Sequence, residues 1–357
     1  PLNEQHRIVA KIEELFSELE KGVESLKAAK AQLGVYRQSV LKAAFEGRLT
    51  EGWRKEHDVH GSTSVAGAGR TGATAGELES ADELLARIKA EREARFAAQL
   101  AEWQQAVADW EAAGGKTSGT KKPAKPKKPK ELPPLTANEL TDLPELPEGW
   151  GWVKVDTISD AGRFAIKAGP FGSALKKEFY VQSGYKIYGQ EQVISGDASY
   201  GDYFISEEKY QELISCAVKP RDILISLVGT VGKVLILPAD AQQGIINPRL
   251  IKISPNLNCY SPVFFKYYFE SAFLKGIYKT ETHGATMDVL NLGIIQSLPF
   301  PLCTMEEQHQ IVQEIESRFS GVEKMEQTIG ESLQKAEGLR QSILKRAFEG
   351  KLVPQDP

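Results

Sequence analysis

One stretch of this chain occurs twice. Glu4–Leu49 returns as Glu307–Leu352, and the spacing stays at 303 residues throughout, so no gap separates the copies. Glu4-Gln5-His6-Arg7-Ile8-Val9 becomes Glu307-Gln308-His309-Gln310-Ile311-Val312. Arg37-Gln38-Ser39-Val40-Leu41-Lys42 through Ala44-Phe45-Glu46-Gly47 becomes Arg340-Gln341-Ser342-Ile343-Leu344-Lys345 through Ala347-Phe348-Glu349-Gly350. A repeat this far apart is no solenoid; it brackets something different. Each copy reads as one long helix. Ile12, Leu19, Leu26, Leu33 and Val40 fall seven apart, with Ile8, Leu15, Gly22, Ala29 and Tyr36 as the adjoining row. The second copy keeps the first row as Ile315, Val322, Ile329, Ala336 and Ile343. Its second row is patchier: Ile311, Arg318, Met325, Ser332 and Leu339. This is a heptad pattern. Thr304 with Glu307 reads as a capping box, and Gly47 and Gly350 as C-terminal stops. A helix of this length, roughly 65–70 Å at 1.5 Å per residue, cannot bury its stripe alone. The expectation is a coiled coil, between the two copies or between chains.

Between the copies the texture changes three times. Thr50–Ala75 is rich in Gly, Ser, Thr and Ala and reads as a flexible loop. Glu77–Ala113 is helix-forming. Lys116–Lys130 carries seven lysines, three prolines and no acid. That run is read as unable to make a packed element: a solvated linker, or alternatively an arm touching phosphate backbone. After a Pro-punctuated hinge at Leu143–Trp150, short β-branched and aromatic runs (Trp152–Val155, Tyr185–Tyr188, Tyr203–Ile205, Asp222–Leu227, Gly232–Leu237 and Leu250–Ile253) alternate with Gly, Asn, Asp and Pro turns as far as Pro301, which predicts a β-rich domain. The expected boundaries are 1–50 (long helix), 51–142 (loop, helix and basic linker), 143–302 (β-rich domain) and 303–357 (long helix).

The net charge is −4, yet basic residues sit in loop-like stretches of the β-rich part. Cys216, Cys259 and Cys303 are isolated, which argues against a disulfide framework or zinc site and makes a reducing cytoplasm the default. No stretch reads as a membrane span. HExxH, Walker, GxSxG and ExxH patterns are absent. Gly229-Thr230-Val231-Gly232-Lys233 lacks the Walker spacing and reads as a tight turn, with Thr230 and Lys233 near its tip. Asn247-Pro248-Arg249-Leu250 reads as a turn rather than an adenine-methyltransferase motif.

Three loops combine the residues that DNA recognition uses. Lys167, Gly169, Phe171, Gly172, Ser173, Lys176 and Lys177 join glycines that let backbone amides approach phosphate with lysines that neutralise it. Gln190 and Gln192 offer amides of the kind that pair with adenine edges. Thr282, His283 and Thr286 form a third polar loop. With Lys233 and Arg249, these point to a reader of DNA rather than an enzyme.

The chain resembles the specificity subunit of Type I restriction–modification enzymes. The resemblance rests on the shared openings and endings of the two long helices. It rests also on Leu146-Pro147-Glu148-Gly149-Trp150 with Trp152, on Gly169-Pro170-Phe171-Gly172-Ser173, and on Arg221–Ser226 followed by Gly229–Lys233. It implies an α+β fold: one target-recognition domain flanked by two long helices that pair as an antiparallel coiled coil. It implies a non-catalytic subunit that binds double-stranded DNA, reads half of a split target and directs methyltransferase and restriction subunits. S-adenosylmethionine, ATP and Mg would belong to the complex, and no cofactor to this chain. Only one recognition domain is present. The match of Pro1-Leu2 to Pro301-Leu302 is read as a cut at the end of a missing one, the alternative being a half-subunit that self-dimerises. Other readings are the recognition half of a fused methyltransferase–endonuclease and a scaffold without DNA contact.

Overall fold

The computed structural model describes residues 2–57, 79–115, 119–128, 131–227, 231–281 and 290–354. It divides into two compact units: Pro1–Leu41 with Gln313–Pro357, and Lys42–Val312.

The first unit is built from the two repeats. Helices α1 (Leu2–Phe45) and α11 (Met305–Phe348) supply its two rods. The rods run antiparallel, as two equivalent contacts show. The Arg37 guanidinium lies 4.7 Å from the Phe319 ring centre, and that of Arg340 lies 5.0 Å from the Phe16 ring. Phe16 and Phe319 are the same position of the repeat, as are Arg37 and Arg340. The pair is therefore closed on itself by a pseudo-two-fold. Arg37 also reaches Glu326 at 3.0 Å.

These contacts revise the expected heptad register. The row Ile12, Leu19, Leu26, Leu33 and Val40 is covered, but Gly22 and Tyr36 face solvent while Val23 and Arg37 are half-buried. In α11, Arg318, Met325 and Leu339 are exposed; Phe319 is buried, and Glu326 and Leu333 are half-buried. Elsewhere the expected second row holds: Ile8, Leu15, Ala29 and Ser332 are half-buried and Ile311 is buried, while Val9 and Lys30, one residue later, are exposed. The covered seam shifts by one residue only locally, at Gly22/Val23 and Tyr36/Arg37 in α1 and at Arg318/Phe319 and Met325/Glu326 in α11.

Both rods end alike. Gly47 has φ +71° and Gly350 φ +65°. Gly47 N donates to Ala44 O and Arg48 N to Ala43 O; Gly350 N donates to Ala347 O and Lys351 N to Arg346 O. Each is a Schellman stop, a left-handed residue that only glycine adopts cheaply.

In the second unit, strands β1 (Gly151–Lys154) and β10 (Pro299–Leu302) pair antiparallel and close the region, with Gly151 opposite Leu302. A second sheet has the order β2 (Ile166–Ala168), β9 (Leu250–Ile253), β6 (Ile223–Ser226), β7 (Val234–Ile236), all antiparallel. A third has the order β3 (Tyr180–Val181), β5 (Phe204–Ile205), β4 (Tyr185–Tyr188), β8 (Gly244–Ile246); β4 and β8 run parallel. Ile187, Tyr188, Ile205, Leu224, Leu235, Ile245 and Ile246 form the core that these two sheets share. Successive strand residues point to opposite faces, so β6 buries Leu224 in this core and Ile223 and Ile225 on its other side. Lys252 Nζ lies 3.8 Å from Asp222, both nearly buried. Burial pushes the Asp222 carboxyl up and the Lys252 ammonium down, and their mutual attraction opposes both shifts.

Short helices fill the connections: α2 (Glu51–Glu56), α4 (Ala137–Thr141), α5 (Val155–Ile158), α6 (Gln190–Ser195), α7 (Glu207–Glu212), α8 (Pro262–Glu270), α9 (Ala272–Glu281) and α10 (Leu292–Ser297). Helix α8 places Phe264 and Tyr268 around Phe300 of β10, with ring centres 5.7 and 5.6 Å away. Phe45, from the last turn of α1, packs edge-on between Phe264 (5.2 Å) and Tyr268 (5.0 Å).

Two expectations need correction here. Glu51–Glu56 is helical rather than loop, because Thr50 and Arg54 are tied to Glu307; 58–75 lie outside the described residues. The capping box is half present. Thr304 Oγ1 accepts from Glu307 N at 3.0 Å, but the Glu307 carboxylate turns away to Thr50 Oγ1 (2.7 Å), Trp150 Nε1 (2.7 Å) and Arg54. The buried Arg54–Glu307 pair outweighs a bond to a helix-end amide. Finally, the described part of the Lys/Pro run, 119–128, is tied to a helix through its backbone, with Pro123 and Pro126 half-buried and its other residues exposed. It follows α3 (Ala81–Ala112), whose Trp103 and Trp110 donate their indole N–H groups to Pro123 O and Thr120 O, both at 3.0 Å. Proline costs little backbone freedom on being held there, since its φ is already fixed.

Candidate DNA interface

The loop after β2 is held at both ends. Gly169 N donates to Leu250 O at 3.0 Å, and Leu175 is buried in the shared core. Between them Phe171 is 79% exposed, Gly172 turns with φ +59° and Ser173 is exposed, as is Lys176 just after Leu175. A protruding aromatic with small polar and lysine neighbours suits a nucleic-acid groove better than a core. Gly169 presses against the next turn: a Cβ there would overlap the carbonyl oxygen of Asn247.

That turn is the hub. Leu250 N donates to Asn247 O at 3.2 Å, Asn247 N to Tyr188 O at 2.8 Å, and Asn247 Oδ1 accepts from Arg249 N at 2.9 Å. The turn expected at 247–250 is therefore present. It presents Arg249 outward, and Arg249 Nη1 donates to Gln190 Oε1 at 3.3 Å. Gln190 Nε2 in turn donates to Ser226 Oγ at 2.8 Å, at the end of β6. Ser226 N donates to Lys233 O at 3.0 Å, which sets the exposed Lys233 across the β6–β7 turn. Residues far apart in sequence thus meet: Gly169, Gln190, Arg249 and Lys233 are joined through Asn247 and Ser226.

Other expected contacts fare differently. Gln192 is buried at 1%; its Oε1 accepts from Gly189 N (2.8 Å) and its Nε2 donates to Tyr200 O (2.6 Å). Its amide is spent at the N-terminus of α6, so Gln192 cannot read a base. Lys167 is half-buried, with its ammonium 5.9 Å from the Phe164 ring. Lys176 lies 3.4 Å from Glu178, an exposed pair that yields easily to phosphate. Lys177 is exposed on the following 3₁₀ turn. Thr230, Thr282, His283 and Thr286 lie outside the described residues. Sequence reasoning missed Asn247 and Ser226, whose roles are to hold others, and the exposed Tyr200 and Tyr203. The Tyr-Gly-Asp-Tyr run at 200–203 was the available signal for the tyrosines.

Among the described residues no group of three or more His, Cys, Asp or Glu is placed to hold a metal, and no helix is long and apolar enough to cross a membrane. Residues 152–334, just over half of the chain, match the family described as Type I restriction modification DNA specificity domain. The chain belongs to that family. Among relatives of this specificity-domain protein is the Type I restriction enzyme EcoBI specificity subunit of Escherichia coli, 29% identical over 151 residues. That match covers 42% of this chain and 32% of the EcoBI subunit. The EcoDI specificity subunit of the same organism is 33% identical over 66 residues, 18% of this chain and 15% of that one. Among solved structures, the HsdS subunit from Thermoanaerobacter tengcongensis aligns at 18% identity and a TM-score of 0.43, covering 98% of this chain and 59% of that one. A chain from a type I R-M system structure aligns at 19% identity and a TM-score of 0.45, over 76% and 57%.

Gly169 tests whether loop and turn are one piece in this specificity-domain protein. Gly169→Ala forces a methyl group into Asn247 O, which is backbone and cannot swing aside. The expected cost is about 1–3 kcal/mol of stability, as for other overpacked sites. Urea titration reads it, and an unchanged midpoint would mean the two segments part freely.

Proposed function

We propose that this chain reads one half of a bipartite DNA target and, through its helical pair, directs the methyltransferase and restriction subunits of a Type I restriction–modification complex. S-adenosylmethionine, ATP and Mg would be handled by those partners, and this chain would carry out no bond-making step. The observation that carries the reading is the Arg249–Gln190–Ser226 relay beside the protruding Phe171 loop. An arginine fork held in place is the commonest way to read guanine in the major groove. Gln190 then acts by orienting Arg249 rather than by pairing with adenine itself, since both ends of its amide are engaged.

The test separates base contacts from phosphate contacts. With the chain assembled on its methyltransferase, sites are selected from a randomised duplex pool. Arg249→Ala is expected to relax preference at one base pair by about 1–3 kcal/mol, and Gln190→Ala to move the same position. Lys176→Ala should weaken all sequences equally and flatten the salt dependence. A wild-type assembly that selects no sequence overturns the proposal.

A second recognition unit is part of the same reading. Phe45 is 4% exposed beneath the aromatic face of α8, whereas its repeat partner Phe348 is 90% exposed. An equivalent recognition unit seated on Phe348, from the full subunit or from a self-dimer, would restore the symmetry of the helical pair.

A further inference from the structure

Helix α3 and the basic run form a projection that the recognition site does not use. Its root is fixed. Ala81, Leu84 and Ile88 are buried, Ala81 N donates to Gly149 O at 3.0 Å, and Arg92 Nη2 donates to Asp156 O at 2.7 Å and Ser159 O at 3.1 Å. Beyond the root, Phe96, Leu100, Trp103, Val107 and Trp110 lie half-buried along one face, at alternating spacings of four and three. The returning chain covers that face. Thr120 O meets Trp110, Pro123 O meets Trp103, and Lys128 approaches Glu93 at 3.9 Å, so the two segments run antiparallel.

The returning strap has a period of three. Pro123 and Pro126 are half-buried against the helix, while Lys121, Lys122, Lys125, Lys127 and Lys128 are all exposed. That is the pattern of a polyproline II rod, stiff without internal hydrogen bonds. Lys122 and Lys125 cross the faces of Trp110 and Trp103 at 5.7 and 5.6 Å. Lys122 reaches Glu111 at 3.6 Å, a pair that is solvent-exposed and easily exchanged, like Lys128–Glu93. Lys121 and Lys127 have no carboxylate partner among the described residues. Five exposed ammonium groups within eight residues, on a strap anchored to the domain, match a polyanion.

We infer that this strap is a second, sequence-indifferent DNA contact whose lysine edge takes phosphates of the duplex flanking the half-site. It rests on the DNA-reading function proposed above for its geometry, though not for its chemistry. The prolines and tryptophans hold the lysines in place in advance, so binding does not have to order a floppy tail.

The test uses the full chain, Lys121→Gln/Lys125→Gln/Lys127→Gln, and two probes: a long random-sequence duplex and a short duplex trimmed to the selected half-site. On the long duplex at about 0.15 M salt, the triple variant is expected to bind roughly tenfold more weakly. Its slope of log K against log [salt] should be shallower by about 0.9 for each phosphate that the strap no longer neutralises. On the trimmed duplex, affinity and base preference should not change. Equal affinity on the long duplex, or equal weakening on both probes, overturns the strap contact and leaves the half-site reading standing. Lysine-dependent binding to the long duplex by a chain that selects no sequence supports the strap and overturns the reading instead.

Discussion

Glu307→Ala is expected to destabilise the chain by about 3–5 kcal/mol, the usual cost of removing one partner of a buried pair. Glu307 is fully buried, and its carboxylate accepts from Thr50 Oγ1, Trp150 Nε1 and Arg54. Arg54 also donates to Gly47 O, so one guanidinium ties together the end of α1, the start of α2 and the start of α11. Alanine would take the acceptor from the Trp150 indole and the counter-charge from Arg54, which would keep only Gly47 O and Thr50 Oγ1. Glu307→Gln keeps the shape and loses the charge, and should cost about half as much. The midpoint of urea unfolding, with an unchanged slope, reads both. A loss below about 1 kcal/mol for the alanine variant would show that the pair is balanced by its own desolvation.

Phe45→Ala and Phe348→Ala should differ sharply although they alter the same residue of the same repeat. Phe45 fills the space between Phe264 and Tyr268, so its removal leaves a cavity and ends two edge-to-face pairings. The expected cost is about 3–5 kcal/mol. Phe348 touches little, and its removal from the chain alone should stay within about 0.5 kcal/mol. Thermal or urea unfolding of the two variants side by side decides it. Similar losses would mean that Phe348 is covered in solution.

That contrast also marks how far the sequence could be read. The repeat announced two rods, and its matching glycines announced matching Schellman stops, because both depend on local periodicity and local φ. The strands at 185–188, 223–226 and 250–253 were legible from β-branched runs for the same reason. The heptad register was legible only in part. Its first row and much of its second hold, but small and polar residues such as Gly22 and Glu326 blur the second, and the local one-residue shifts show only in the Arg37–Phe319 and Arg340–Phe16 stacks. β8 was missed because Gly244–Ile246 is short and pairs in parallel with β4, far away in sequence. At the candidate DNA interface, residue type pointed to Gln190, Arg249 and the Phe171 loop. Gln192 belonged by type as well, yet its amide is consumed at the start of α6. Burial of a polar side chain is a property of the assembled fold and leaves no mark on composition. For a related reason composition did not show that 119–128 is tied to α3: its partners, Trp103 and Trp110, lie in the preceding helix, while its lysines stay exposed as a solvated linker's would.

The pairing of β1 with β10 has a consequence for how the protein comes into being. Gly151 and Leu302 must meet before the region between them is sealed. A chain leaving the ribosome therefore holds the first edge open until nearly all of the unit has been made, and contacts of such long sequence separation form slowly. Phe300 sits on the late strand and in the middle of the α8 aromatic cluster. The same late event thus completes the hydrophobic interior, and a nascent chain stalled before it would expose that cluster to chaperones and proteases.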